Sequence, residues 1–118
     1  PLFDGFMREN AIGTARAKQD KAIEQETLAR QQVAQEVNQA ALMLQAAEKN
    51  VEASRKGLQR AEEQFRIVQE RYAAGRGIQL EILDAQTALT RARFNLVAAL
   101  ADYQAAQAMW LKATGRTR

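Results

Sequence analysis

The sequence predicts an all-α fold, a long antiparallel two-helix coiled-coil hairpin with unequal helices over about residues 5–74 and 79–114. Three observations predict it. Large side chains recur every seven residues along two separate stretches, with small residues three places later in each. The only proline is Pro1, so nothing beyond the first residue forbids long helices. One glycine-flanked break, Gly75-Arg76-Gly77, divides the two stretches.

The first helix is predicted from Asp4, read as its N-cap ahead of Gly5, to Ala74. Its register is clear over Val37, Leu44, Val51, Leu58, Phe65 and Tyr72, with Ala40, Ala47, Ser54, Ala61 and Val68 three places on. Upstream the pattern weakens. Ala15, Ala22 and Ala29 keep the seven-residue step, but Gln19 and Glu26 stand where large residues belong, and the break near Val33 reads as a stutter. The tip turn is predicted at residues 75–78: Gly75 can take the left-handed conformation that ends a helix, and Gly77 adds a second permissive joint.

The second helix resumes near Ile78 or Gln79 and runs to about Thr114, where Gly115 stops it. Ile82, Leu89, Leu96, Tyr103 and Trp110 form its large row, and Ala85, Ala92, Ala99, Ala106 and Ala113 its small one. A generic soluble coiled coil prefers Leu at the second position, so an unbroken alanine row predicts an unusually close approach of backbones. So short a linker folds the second helix back on the first. Roughly 70 residues against roughly 36 correspond to about 105 Å against about 54 Å at the α-helical rise. The second helix can then cover the first only back to about residue 37, which is where the strong register begins. The upstream half must pack on helices that lie outside this sequence.

Composition excludes several classes of function. The 118 residues correspond to about one domain, here a single hairpin over 1–118. The hydrophobic share is 47% but aromatics are only 6%, so the apolar residues suit seams better than a compact core. Without cysteine there are no disulfides or thiolate metal sites, and without histidine the commonest general base and metal ligand is missing. The carboxylates are spread along helices with no phosphate-binding glycine loop, so no catalytic residue, metal site or cofactor is expected. The net charge of +3, from 17 basic and 14 acidic residues interspersed, lacks the basic block of a nucleic-acid partner. No apolar run approaches the roughly 18 residues of a membrane-spanning helix, and the first residues do not read as a signal peptide. Opening on Pro-Leu-Phe without a methionine suggests a piece excised from a longer protein.

The same residues carry a family resemblance. Pro1-Leu2-Phe3-Asp4-Gly5-Phe6 is similar to the P-[LI]-[FY]-x-G-G box of the TolC-like outer-membrane efflux proteins, with Phe6 in place of the second glycine. Arg71-Tyr72-Ala73-Ala74-Gly75 followed by Leu80-Glu81-Ile82-Leu83-Asp84-Ala85-Gln86-Thr87-Ala88-Leu89 resembles that family's R-Y-x-x-G-x-x-x-x-x-[DE]-[VI]-L-D-A-Q-x-x-L signature. The two blocks stand in the family's order and spacing, and the resemblance covers the whole chain as the last part of the family's second repeat. It implies a fragment of a trimeric α-barrel that crosses the periplasm of a Gram-negative-type cell. The full-length parent would be a homotrimer held in the outer membrane by β-strands absent from this chain. Its implied partners are a periplasmic adaptor protein and an inner-membrane pump.

The resemblance also implies roles for particular residues. Glu81 and Asp84 lie three apart on one helical face, and from the residues alone they read as acidic side chains complementing a helix dipole. In the family such a pair faces the lumen at the periplasmic entrance, where three copies would form rings of carboxylate at a closed constriction. Ala74, Gly75, Arg76 and Gly77 form the tip that would meet the adaptor. The family often has Thr and then a basic residue after the glycine, whereas here Arg76 precedes Gly77, so a tip salt bridge would have to come from Arg76. Ala85, Ala92, Ala99 and Ala106 form the helix-packing seam. Two other readings compete: the coiled-coil hairpin of a periplasmic adaptor, which would have helices of similar length, and a purely structural helical scaffold, which would favour Leu in the alanine row.

Overall fold

A computed structural model describes residues 2–115, with side chains from Gly5 onward. The described residues form two α-helices: α1, Leu2–Ala73, of 72 residues, and α2, Gln79–Ala113, of 35 residues. The unequal antiparallel hairpin predicted from sequence is the observed fold, and there is no strand among the described residues. Among the described residues no helix is long and apolar enough to cross a membrane. The first helix begins at Leu2, so Asp4 lies within its first turn instead of capping it. An acidic residue complements the helix dipole at either position, which is why the sequence signal did not separate them. Pro1, the head of the family-like box, lies outside the described residues.

The chain divides into two units, Pro1–Asn38 and Gln39–Arg118. In the first, every described side chain from Gly5 to Glu36 is exposed, including Phe6, Ile12, Ile23, Leu28 and Val33. Its side-chain bonds are local: Arg30 reaches Glu26 one turn back at 2.9 Å, and the hydroxyls of Thr14 and Thr27 donate to the carbonyls of Asn10 and Ile23 at 2.8 and 3.0 Å. The Arg30–Glu26 pair adds tenths of a kcal/mol to a helix, far less than a buried face would, and the threonine bonds add nothing to it.

The second unit contains the hairpin and its covered seam. On α1, Ala40 and Val68 are buried, and Leu44, Ala47, Val51, Ser54, Leu58, Ala61 and Phe65 are half-buried at the predicted positions. On α2, Ala85, Leu89, Ala99 and Ala106 are buried, while Ile82, Ala92, Leu96, Tyr103, Trp110 and Ala113 are half-buried. Ala99 is the most enclosed, at 2% exposure. Met43, Ala46, Ala47, Asp102, Ala106 and Met109 line one groove, which sets residues 43–47 opposite residues 102–109 in the antiparallel register. Burying a leucine such as Leu89 is worth about 2 kcal/mol, so the seam carries the hairpin's stability. The predicted row ends one heptad early, because Tyr72 is 47% exposed. Beyond Ala73 the backbone leaves the helix, and α2 has not yet begun, so no facing turn covers that ring.

The outer face of α1 in this unit is charged. Lys49, Glu52, Lys56, Glu63, Arg66 and Glu70 are all exposed along it. Arg66 is held between two carboxylates, through Nε to Glu63 Oε2 at 3.0 Å, Nη2 to Glu63 Oε1 at 2.5 Å, and Nη1 to Glu70 Oε1 at 2.6 Å.

Candidate functional site: the hairpin tip and the faces of the second helix

The tip is built by the way α1 stops. The amide of Arg76 donates to the carbonyl of Arg71 at 2.8 Å, and that of Gly75 to Tyr72 at 3.0 Å, with Gly75 at φ +75°. These two bonds with a left-handed glycine make a Schellman motif, which satisfies carbonyls that a helix end would otherwise leave unpaired. Ala74, Gly75 and Arg76 are all exposed on this turn. Arg76 thus stands on the outer surface of the tip, free of any ion pair among the described residues.

Gly77 is half-buried because the returning chain passes close to the end of α1. A Cβ placed on it would lie 3.4 Å from the Tyr72 backbone nitrogen and 3.3 Å from Glu81 Oε2. Ile78 then takes an extended conformation, φ −111° and ψ 156°, and α2 starts with the Glu81 amide donating to the Ile78 carbonyl at 3.1 Å. No side chain caps this start, so Glu81 in the first turn is the acidic group nearest the positive end of the α2 dipole.

The predicted acidic pair has unlike surroundings. Asp84 is exposed, whereas Glu81 is half-buried and its Oε2 is enclosed without a hydrogen-bond partner. Residues 74–77 and Glu81 are brought together at the tip, and Asp84 lies one turn further along. The alanines of the seam follow in order from Ala85 to Ala106. Sequence reasoning missed the inward placement of Glu81. Its signal was the glycine four residues earlier, which removes the side chain that would fill that space.

A second omission concerns the back of α2. Leu80, Leu83, Phe94 and Val97 are exposed, and with Thr87 and Thr90 they recur at alternating steps of three and four on the side opposite the seam. The Thr87 hydroxyl donates to the Leu83 carbonyl at 2.9 Å, which occupies its polar atom within the helix. A shallow groove of about 510 Å³ runs here, lined by Leu83, Gln86, Thr87, Thr90, Arg91 and Phe94. The steps were legible in the sequence but were overshadowed by the stronger heptad row. Among the described residues no cluster of three or more acidic side chains could hold a metal ion.

Comparison with known proteins gives one result. A model of the outer membrane efflux protein family matches residues 1–116. No curated protein and no solved structure matches the chain.

Proposed function

The chain belongs to the outer membrane efflux protein family, whose members are transport channels and not enzymes, and we propose that it forms a wall segment of such a channel's periplasmic α-barrel. The observation that carries this reading is that α2 is apolar on two opposite sides. One side is covered by α1, and the other, through Leu80, Leu83, Phe94 and Val97, is exposed. A helix in a closed wall has a neighbour on each side, whereas the back of a free two-helix rod would be polar. The exposed apolar residues of α1 between Phe6 and Val33 fit the same reading, since in a barrel they meet helices from elsewhere in the parent. In this proposal the parent is a homotrimer in the outer membrane of a Gram-negative-type cell.

The tip of residues 74–77 would dock the periplasmic adaptor of an inner-membrane pump, with exposed Arg76 supplying the charge for that contact. Carboxylates just behind it, in three copies, would draw cations toward the entrance. The reading as an adaptor hairpin is disfavoured by helices of 72 and 35 residues. The direct test is Phe94→Cys in the full-length parent, followed by cross-linking in intact cells. Covalent joining of Phe94→Cys to a neighbouring wall helix is expected. A thiol that reacts only with small water-soluble reagents would sink the wall assignment.

A further inference from the structure

Glu81 and Asp84 sit one turn apart on α2 but in unlike surroundings. Asp84 is exposed, while Glu81 Oε2 is enclosed and unpartnered among the described residues. What admits Glu81 to that position is a missing side chain. Gly77, unlike Gly75, does not have the positive φ that demands glycine, so its value here is space. A Cβ on Gly77 would stand 3.4 Å and 3.5 Å from the Tyr72 backbone nitrogen and Cα, which are ordinary contacts. The same Cβ would stand 3.3 Å from Glu81 Oε2, tighter than carbon and oxygen normally approach. The backbone therefore accommodates a side chain at 77 as it stands, whereas the Glu81 carboxylate must give way by a few tenths of an ångström.

We propose that Gly77 sets how far the Glu81 carboxylate is shielded at the tip. The space it leaves receives one oxygen of Glu81, so Glu81 is partly shielded while Asp84 stands open, where the sequence suggested two equal carboxylates. A side chain at 77 displaces that oxygen toward solvent, and a larger one displaces it further. An enclosed carboxylate oxygen without a donor has given up the hydrogen bonds water would supply, so the inward placement is weakly held and a small steric push reverses it. The consequence for an entrance charge rests on the channel reading above; the geometry of Gly77 and Glu81 does not.

The test is carbodiimide-driven coupling of an amine to carboxylates in the intact chain, with each site's rate read by mass spectrometry and normalised to the urea-unfolded chain. Glu81 should react severalfold more slowly than Asp84. Gly77→Ala should raise the Glu81 rate part of the way, and Gly77→Val should bring it level with Asp84, with Asp84 itself unchanged. Gly75→Ala loosens the turn without filling the space and should leave Glu81 slow. Equal rates for Glu81 and Asp84 in the native chain would overturn the proposal, as would an unchanged Glu81 rate in both Gly77 variants. A rise in Gly75→Ala as large as in Gly77→Val would also overturn it, by assigning the effect to a loosened turn. Gly77→Ala, whose Cβ the Tyr72 backbone accommodates, decides the matter should the valine disturb the turn. The readout needs no transport, so failure of the channel reading would leave this result standing.

Discussion

Gly75 donates its amide to the carbonyl of Tyr72 at 3.0 Å from a left-handed backbone, φ +75°, and this one residue reverses the chain. A Cβ there meets no neighbouring atom within 4 Å, so the cost of a substitution is conformational. Gly75→Ala should lower the hairpin's stability by about 1–2 kcal/mol, the penalty of the left-handed region for an L-residue. Thermal unfolding followed by circular dichroism reads this, and an unchanged midpoint would show that the turn is not held in that conformation.

The alanine row makes a steeper prediction. Ala99 is only 2% exposed, so Ala99→Leu must force the helices apart or its own side chain off rotamer. A loss of about 1–3 kcal/mol is expected from overpacking, and more when combined with Ala92→Leu. Urea titration of the single and double variants measures it. A leucine row that stabilised the hairpin would mean that the seam is an ordinary coiled coil without close approach.

Truncations should separate the covered seam from the exposed stretch. Leu89 is 6% exposed and Ile23 is 54% exposed. Leu89→Ala is expected to cost about 2–4 kcal/mol, whereas Ile23→Ala should change the unfolding midpoint of this chain little. Comparable losses at both positions would reveal a partner on residues 5–36 in solution.

Acid should weaken one specific part of α1. The hydrogen bond from Arg66, reinforced by its charge, holds the Glu63 carboxyl below its ordinary value of 4.5. A carboxyl whose folded pKa is depressed contributes stability that is complete above the unfolded value and is lost as pH falls through the folded one. The contribution is therefore constant at neutral pH and disappears on acidification below about 4.5. Carboxyl-carbon NMR should place Glu63 lower in pH than the same residue in the Arg66→Gln variant, and added salt should narrow the gap. Coincident titrations would remove the ion pair from solution.

Most of the fold was legible because a coiled-coil seam is written in period and residue size alone. The ten a and d positions read from Ile82 to Ala113 are all covered, as is the alternation of large and small residues along α1 from Ala40 to Val68. Tyr72 kept the period but lost its cover, since a heptad count does not register where the opposing helix begins. The tip was less legible for a related reason. Spacing places Glu81 and Asp84 on one face, but the direction of a carboxylate depends on the space around it, and that space is set by Gly77 across the turn. The head of α1 was blurred because Asp4 serves a cap and a first turn almost equally well.

The groove that pairs residues 43–47 with residues 102–109 has a kinetic meaning. Pairs beside Gly75 are separated by few residues, and each pair further along must enclose a longer loop, whose ordering costs progressively more entropy. The low-cost order of assembly is therefore a zipper that starts at the turn and closes toward Trp110, each completed heptad shortening the loop that the next must close. Breathing follows the reverse path, opening first at Trp110 and last at the turn, so the tip stays paired while the far end frays.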